Sequence, residues 1–293
     1  SNPIVEPDNY DLNLINQEYY SNFRNGFFTI AIINTFLEPG EENDEMMSLL
    51  LTKIQGMVKE KLEPKCIDLI TVIWNEQIVC LINTDDRKLD SIKKQFLKMK
   101  IDIANLKDIF QKVRVIIGFG EITDSLNEIY SNIKKAQIAI QNRFSQADNY
   151  ILEYKDAVES KLEVTDIIDL SLKDRLLSYF ETLSTDKILA ELDDLKDLVK
   201  KYSIYYKLVY NCYIELVDII LFAAKKQLYG CNIPDSTWFR KQYNRFYTLD
   251  EMYNWLKEWI IDEFNMYKEL KKNRDNKPIR IAKEYINENY HKP

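Results

Sequence analysis

The chain has 293 residues, 46% apolar and 30% charged, a balance typical of soluble globular proteins with a sizeable core. Its net charge of −7 disfavours binding of the chain as a whole to nucleic-acid phosphates. The longest apolar runs, 27–33 and 219–224, fall well short of the roughly 20 residues that cross a bilayer, and no signal peptide is recognisable. Together these features predict a cytoplasmic protein of about two domains.

The first 25 residues are polar with scattered aromatic side chains. We predict a linker or helix over residues 1–25. Ser1 and Asn2 resemble the remnant left when a protease removes an expression tag, so we expect the natural N-terminus to lie upstream.

Strand and helix patterns alternate over residues 26–158. Apolar, β-branched runs predict strands at 27–33, 68–74, 77–82, 113–118 and 149–154. Helical spacing predicts helices at 42–62 and 85–100, and a third helix begins at Ser125, where Glu128 completes a capping box. The order β-α-β-β-α-β-α-β predicts an α+β domain with one sheet.

Residues 159–273 have helical periodicity throughout and predict an all-α domain. Residues 213–224 are apolar nearly all round, which predicts the buried central helix of a bundle. Thr248 and Glu251 form a second capping box, with Tyr247 and Met252 placed as its hydrophobic staple. One further stripe is formed by Ile188, Leu192, Leu195 and Val199.

Residues able to carry catalysis are scarce. The single histidine, His291, leaves no basis for a Ser-His-Asp or Cys-His mechanism or for a His-based zinc site. The chain has neither a P-loop nor a GxGxxG motif. The cysteines lack CxxC spacing and are interpreted as reduced core or surface thiols. They are Cys66, Cys80, Cys212 and Cys231.

Two other groups of side chains have ordinary structural interpretations. The acidic clusters at 41–44 and 193–194 are typical of helix N-termini and solvated faces. Tyr205, Tyr206 and Tyr210 could line a pocket, although aromatic residues at helical spacing more often form core. We therefore predict no enzyme activity, no cofactor, and no catalytic, cofactor-binding, metal-binding or DNA-binding residue in this chain.

Several segments of the α+β part resemble degenerate GGDEF-like domains, which share the palm-like fold of diguanylate cyclases. They are 116–120 (IIGFG), 127–130 (NEIY), 135–140 (KAQIAI) and 150–154 (YILEY), together with the hairpin between two central strands. The resemblance implies a GGDEF-like domain over residues 26–158.

The resemblance also implies that this domain is inactive as a cyclase. An active member carries Gly-Gly-Asp/Glu-Glu-Phe at the hairpin tip, where glycines let the nucleotide approach and acids hold the metal. Here the tip is Trp74-Asn75-Glu76-Gln77, and the first strand has no acid at 32–35. Arg87-Lys88-Leu89-Asp90 matches the RxxD pattern of the family's product-inhibition site, but it follows the hairpin instead of preceding it.

The end of the chain resembles a second family. Residues 279–290 (IRIAKEYINENY) are similar to the first helix of an AraC-type DNA-binding domain, and we assign residues 274–293 to its start. A basic cluster precedes it and is typical either of a solvated helix end or of an approach to DNA. It comprises Lys268, Lys271, Lys272, Arg274, Lys277, Arg280 and Lys283.

The order of these parts resembles one architecture of two-component response regulators, which also contains segments like 248–256 (TLDEMYNWL). This resemblance implies a non-catalytic central region that relays a phosphorylation or ligand signal. Its implied partners are DNA through a further C-terminal domain, a sensor histidine kinase through an N-terminal receiver domain, and a second copy in a homodimer. Related membrane sensors join an AraC-type end to a similar middle. The alternative function is a small-molecule or nucleotide sensor on a cyclase-dead fold.

Overall fold

A computed structural model describes residues 11–37, 44–108, 110, 113–146, 149–154, 161–228 and 231–289. The chain divides into two compact units, residues 1–158 and 159–293. The predicted fold class is confirmed at the level of an α+β protein with a five-stranded mixed sheet and separate helical elements.

The first unit contains α1 (Leu12–Tyr19), β1 (Phe27–Phe36), α2 (Asp44–Leu62), β2 (Asp68–Trp74), β3 (Gln77–Thr84), α3 (Asp90–Ala104), β4 (Arg114–Phe119), α4 (Ile129–Gln141) and β5 (Ile151–Glu153). From β1 onward this is the predicted order β-α-β-β-α-β-α-β. The strands lie in the order β2-β3-β1-β4-β5, antiparallel except for the parallel pair of β4 and β5.

Strand β1 lies at the centre of the sheet and is buried from Phe28 to Phe36. Its register pairs Ile32 with Val79 on one side and with Gly118 on the other. Because both faces of the sheet are covered, the β1 residues that point to either face are mostly apolar, as predicted. Alternate β1 residues such as Ile33 join the main core with α2 and α3.

The opposite face of the sheet is covered by α4, and glycine makes this close approach possible. A Cβ on Gly118 would lie 2.5 Å from the carbonyl oxygen of Ala136 and 2.6 Å from Cγ1 of Ile140. A Cβ on Gly120 would lie 2.0 Å from Oδ1 of Asn132, a side chain that is 2% exposed. The two glycines of the IIGFG segment therefore accommodate α4 against the sheet.

Two predicted helix starts in this unit are wrong. The helix predicted at 85–100 begins at Asp90, because Asp86 accepts hydrogen bonds from the backbone N–H groups of Lys88 and Ser91 and holds a turn. The Ser125 hydroxyl accepts from the N–H of Asn127 and opens a single 3-10 turn, so α4 begins at Ile129.

All the described secondary-structure elements of the second unit are helices. It contains α5 (Leu170–Glu181), α6 (Thr185–Lys201), α7 (Tyr206–Gln227), α8 (Ser236–Tyr243) and α9 (Leu249–Asn289). Helix α7 buries twelve side chains, as the apolar run at 213–224 predicted. Thr248 Oγ1 accepts a hydrogen bond from the N–H of Glu251, as the predicted capping box requires. The Glu251 carboxylate accepts from the N–H of Tyr247, one residue before the Thr248 N–H that a capping box would use.

Helix α9 begins in the bundle and continues well beyond it. Its core face is buried through Phe264, whose ring meets Phe180 edge-on at 5.2 Å. The helix then runs to Asn289 without a break at the predicted 273/274 boundary. Within the described part of the chain, no helix combines the length and apolar character needed to cross a membrane.

Candidate functional site

The tip of the β2–β3 hairpin is where the sequence resemblance predicts the catalytic signature of a cyclase. Asn75 and Glu76 form a two-residue turn with φ of 50° and 58°, and Trp74 pairs with Gln77. A positive φ at both central residues is typical of the type I′ turn, whose backbone twist matches that of the two strands it joins. Asn75 and Glu76 adopt a conformation that glycine reaches at lower cost, and Glu76 is the only carboxylate of the tip.

The structure brings the end of β1 next to this tip. Asn34 lies opposite Gln77, and its Oδ1 accepts a hydrogen bond from Gln77 Nε2 at 3.2 Å. Asn34 and Thr35 are each only 5% exposed, and the Thr35 hydroxyl points to Sδ of Met47 at 3.5 Å. The side chains at this junction are neutral amides, a hydroxyl and a thioether, which are poor ligands for Mg²⁺.

Two arginines lie along the same edge of the sheet. Arg114 begins β4 and pairs in register with Phe36, the last residue of β1. Arg143 follows α4, is 1% exposed, and places its guanidinium 6.0 Å from the Phe36 ring and 4.2 Å from the Phe144 ring. We call Asn34, Gln77, Arg114 and Arg143 with Glu76 the tip edge.

Sequence reasoning identified the hairpin tip but missed both arginines. A lone arginine after a helix, such as Arg143, is ordinarily interpreted as a surface cation. Only the fold shows that this side chain is buried beside the end of β1. No feature of the local sequence distinguishes it from an exposed arginine.

The RxxD segment lies at the opposite end of the sheet from the tip edge, because Thr84 ends β3 opposite Phe27, which begins β1. Arg87 stacks over the Phe27 ring at 5.7 Å, and Leu89 is buried with a φ of 54°. Backbone hydrogen bonds, the one from Ser91 foremost, lower the pKa of Asp86. These contacts give the segment a structural role at the start of α3.

The four cysteines are free thiols, with Cys80 and Cys212 buried. Burial raises the pKa of each of these two to about 12. The half-buried Cys66 donates to the carbonyl oxygen of Leu62 at 3.0 Å, and burial raises its pKa to about 11. The thiolate is the reactive form, so these three residues are weak nucleophiles at neutral pH.

The remaining candidates from the sequence have structural partners or lie outside the described residues. His291 and residues 41–43 are among those not described. Asp193 forms ion pairs with Lys257 and Lys196, and the hydrogen bond from Lys257 lowers its pKa. Tyr206 is 7% exposed, and the Tyr210 ring packs edge-on against Tyr243 at 5.0 Å.

The helical unit contains a cleft of about 290 Å³ between α5 and α6, with acidic side chains on its walls. Glu191 accepts two hydrogen bonds from Arg175 at 2.6 and 2.9 Å. Asp169 caps α5 by accepting from the N–H of Leu172, and Asp166 accepts from the N–H of Glu163. Within the described residues, no group of three or more His, Cys, Asp or Glu side chains could hold a metal ion.

Comparison with known proteins adds no assignment: no protein-family model, no curated protein and no solved structure matches the chain.

Proposed function

We propose that the chain is the non-catalytic central signalling and dimerisation region of a bacterial DNA-binding transcriptional regulator. The observation that carries the proposal is helix α9, which begins in the bundle core and continues into 279–289. Those residues resemble the first helix of an AraC-type domain. A continuous helix would couple the bundle mechanically to that domain.

The first unit supports a palm-like, GGDEF-like identity for residues 26–158. Its β1-α2-β2-β3-α3-β4 portion places β1 between β3 and β4, with the hairpin at one edge and helices α2 and α3 on one face. This arrangement resembles that of a split β-α-β sheet and so supports the proposed identity. The added α4 and β5 follow the order expected from the resemblance.

The tip edge supports the absence of cyclase activity. Such chemistry needs acids on the first strand and at the hairpin tip to hold the metal. The corresponding side chains here include the Asn34–Gln77 amide pair.

In this proposal the protein is a cytoplasmic response regulator of a two-component system. A sensor histidine kinase would act through an N-terminal receiver domain, and DNA would be bound through the C-terminal helix-turn-helix domain. The input would shift the population of dimer geometries, and the geometry would set the spacing of two DNA-binding ends.

A selection from fragmented genomic DNA tests the proposal. The full-length regulator should enrich specific sites, and a variant lacking residues 27–274 should lose its preference for paired half-sites. Residues 1–293 alone should give no sequence-specific mobility shift. Equal site preference with and without 27–274, or a specific shift by the chain alone, would contradict the proposal.

A small-molecule or nucleotide sensor is the second candidate, and it is supported by the Asn34–Gln77 amide pair at the hairpin tip, where cyclase chemistry would need acids. Thermal-shift titration with nucleotides should then raise the melting temperature as ligand concentration rises. Arg114→Ala should remove the effect, while the matched control Arg87→Ala at the other end of the sheet should keep it. Formation of a cyclic dinucleotide from GTP and a divalent metal would contradict both candidates.

A further inference from the structure

Helix α9 carries an apolar stripe that emerges from the bundle. Trp259, Met266 and Leu270 are spaced at i, i+7 and i+11, so they lie on one face of the helix. Trp259 is half-buried because the Phe239 ring of α8 packs edge-on against it at 5.0 Å. Beyond α8, Met266 is 42% and Leu270 is 43% exposed. We call these three residues the distal stripe.

The stripe lies on a part of α9 that has little support from the rest of the chain. Of residues 265–272, all are exposed except the half-buried Tyr267. Helices gain most of their stability in water from packing an apolar face. A protruding helix with two large exposed apolar side chains on one face therefore favours an additional partner.

We infer that the partner is a second copy of the chain, paired with α9 in parallel through the distal stripe. The spacing is that of a heptad: Trp259, Met266 and Asn273 occupy d positions, and Glu263 and Leu270 occupy a positions. A two-fold axis along the helices sets each Met266 and each Leu270 against its own counterpart. The surface is thus self-complementary, as an isologous interface requires.

Charge complementarity sets the direction of the pairing. Glu269 occupies a g position of the heptad. In a parallel pair, a g residue faces the e residue that lies five positions later on the other helix, and that residue is Arg274. An antiparallel pair would place each Glu269 near another Glu269. Lys277 at the next a position and Pro278 after it limit the seam to about two heptads.

This inference rests on the homodimer in the proposed function and names its interface. Parallel pairing at 266–270 would place the two copies of 279–289 side by side. The half-site spacing read by the regulator would then be fixed by α9 and not by the sheet domain.

Sedimentation equilibrium of the chain tests the surface. The wild type should dimerise, and Met266→Glu with Leu270→Glu should raise the dimer Kd at least about 100-fold, because four carboxylates would meet in the seam. Both positions are exposed, so the variant should keep the wild-type helical circular dichroism. Leu170→Glu, at a residue that is 77% exposed on α5, is the matched control and should leave the Kd unchanged.

A charge swap tests the direction. Glu269→Arg and Arg274→Glu should each weaken the dimer by about 2- to 5-fold, and the double variant should recover wild-type affinity. A monomeric wild type would overturn the homodimer and this surface together. A wild-type dimer that survives the glutamate substitutions would overturn the surface alone, and the genomic selection would still report on the regulator.

Discussion

Replacing Gly118 by alanine tests how closely α4 packs on the sheet. The added methyl carbon would lie 2.5 Å from the carbonyl oxygen of Ala136 and 2.6 Å from Cγ1 of Ile140. The side chain could rotate away, but the carbonyl belongs to the helix backbone. Helix α4 would have to move outward by about 1 Å to restore normal van der Waals contact.

Overpacking of this kind costs about 1–3 kcal/mol, and we expect Gly118→Ala to lie at the upper end because backbone must move. For a unit of this size, that loss corresponds to a decrease in Tm of about 6–12 °C. Differential scanning calorimetry measures the change. Hydrogen exchange of residues 114–119 and 129–141 should show that it arises in the first unit.

Gly56→Ala is the matched control, since it also adds one methyl group to the same unit. Gly56 lies inside α2 and has no atom within 4 Å of the added Cβ. This substitution should stabilise the unit by about 0.5–1 kcal/mol through helix propensity. A Gly118→Ala variant within about 0.5 kcal/mol of the wild type would refute the described packing of α4.

Three further substitutions test the remaining elements. Phe264→Ala should destabilise the bundle by about 3–5 kcal/mol in urea unfolding, whereas the control Phe222→Ala, at a residue that is 61% exposed on α7, should cost less than about 0.5 kcal/mol. Glu76→Gly should stabilise the hairpin by about 0.5 kcal/mol, because it relieves the positive φ. Burial raises the pKa of Glu263 above its ordinary value of 4.5, and its buried Oε2 has no hydrogen-bond partner. When the pH rises from acid to neutral, ionisation of the Glu263 carboxyl therefore destabilises the folded state relative to the unfolded state. Glu263→Gln should raise Tm at pH 7, and below about pH 4 the variant and the wild type should have the same Tm. Equal Tm at pH 7 would contradict this reasoning.

The sequence predicted the strands well because their signals are local. The run at 68–82 contains two β-branched segments around two polar residues, and the hairpin has its turn at Asn75 and Glu76 as predicted. Helix starts were less accurate, since capping depends on which backbone N–H a side chain reaches. Asp86 instead of Asp85 organises the start of α3, and Ser125 supports a 3-10 turn before α4.

The tip edge was only partly predictable. Its hairpin residues are contiguous, so the absence of glycine and paired acids is visible in the sequence. Arg114 and Arg143 reach the same edge through strand register and the position of α4, which are tertiary features. The predicted domain boundary at 273/274 has no counterpart in the backbone, because α9 continues through it to Asn289. The separate domain assigned to residues 274–293 stays a prediction.

The central position of β1 has a consequence for synthesis of the chain. β1 is made before the other four strands of its sheet, and its neighbours β3 and β4 begin only at Gln77 and Arg114. At about 5–20 residues per second, roughly 4–16 seconds separate the end of β1 from the start of β4. During that time the most apolar strand of the sheet lacks a partner on at least one edge. The nascent chain would therefore need protection from aggregation, by a chaperone or by early packing of α2 against β1.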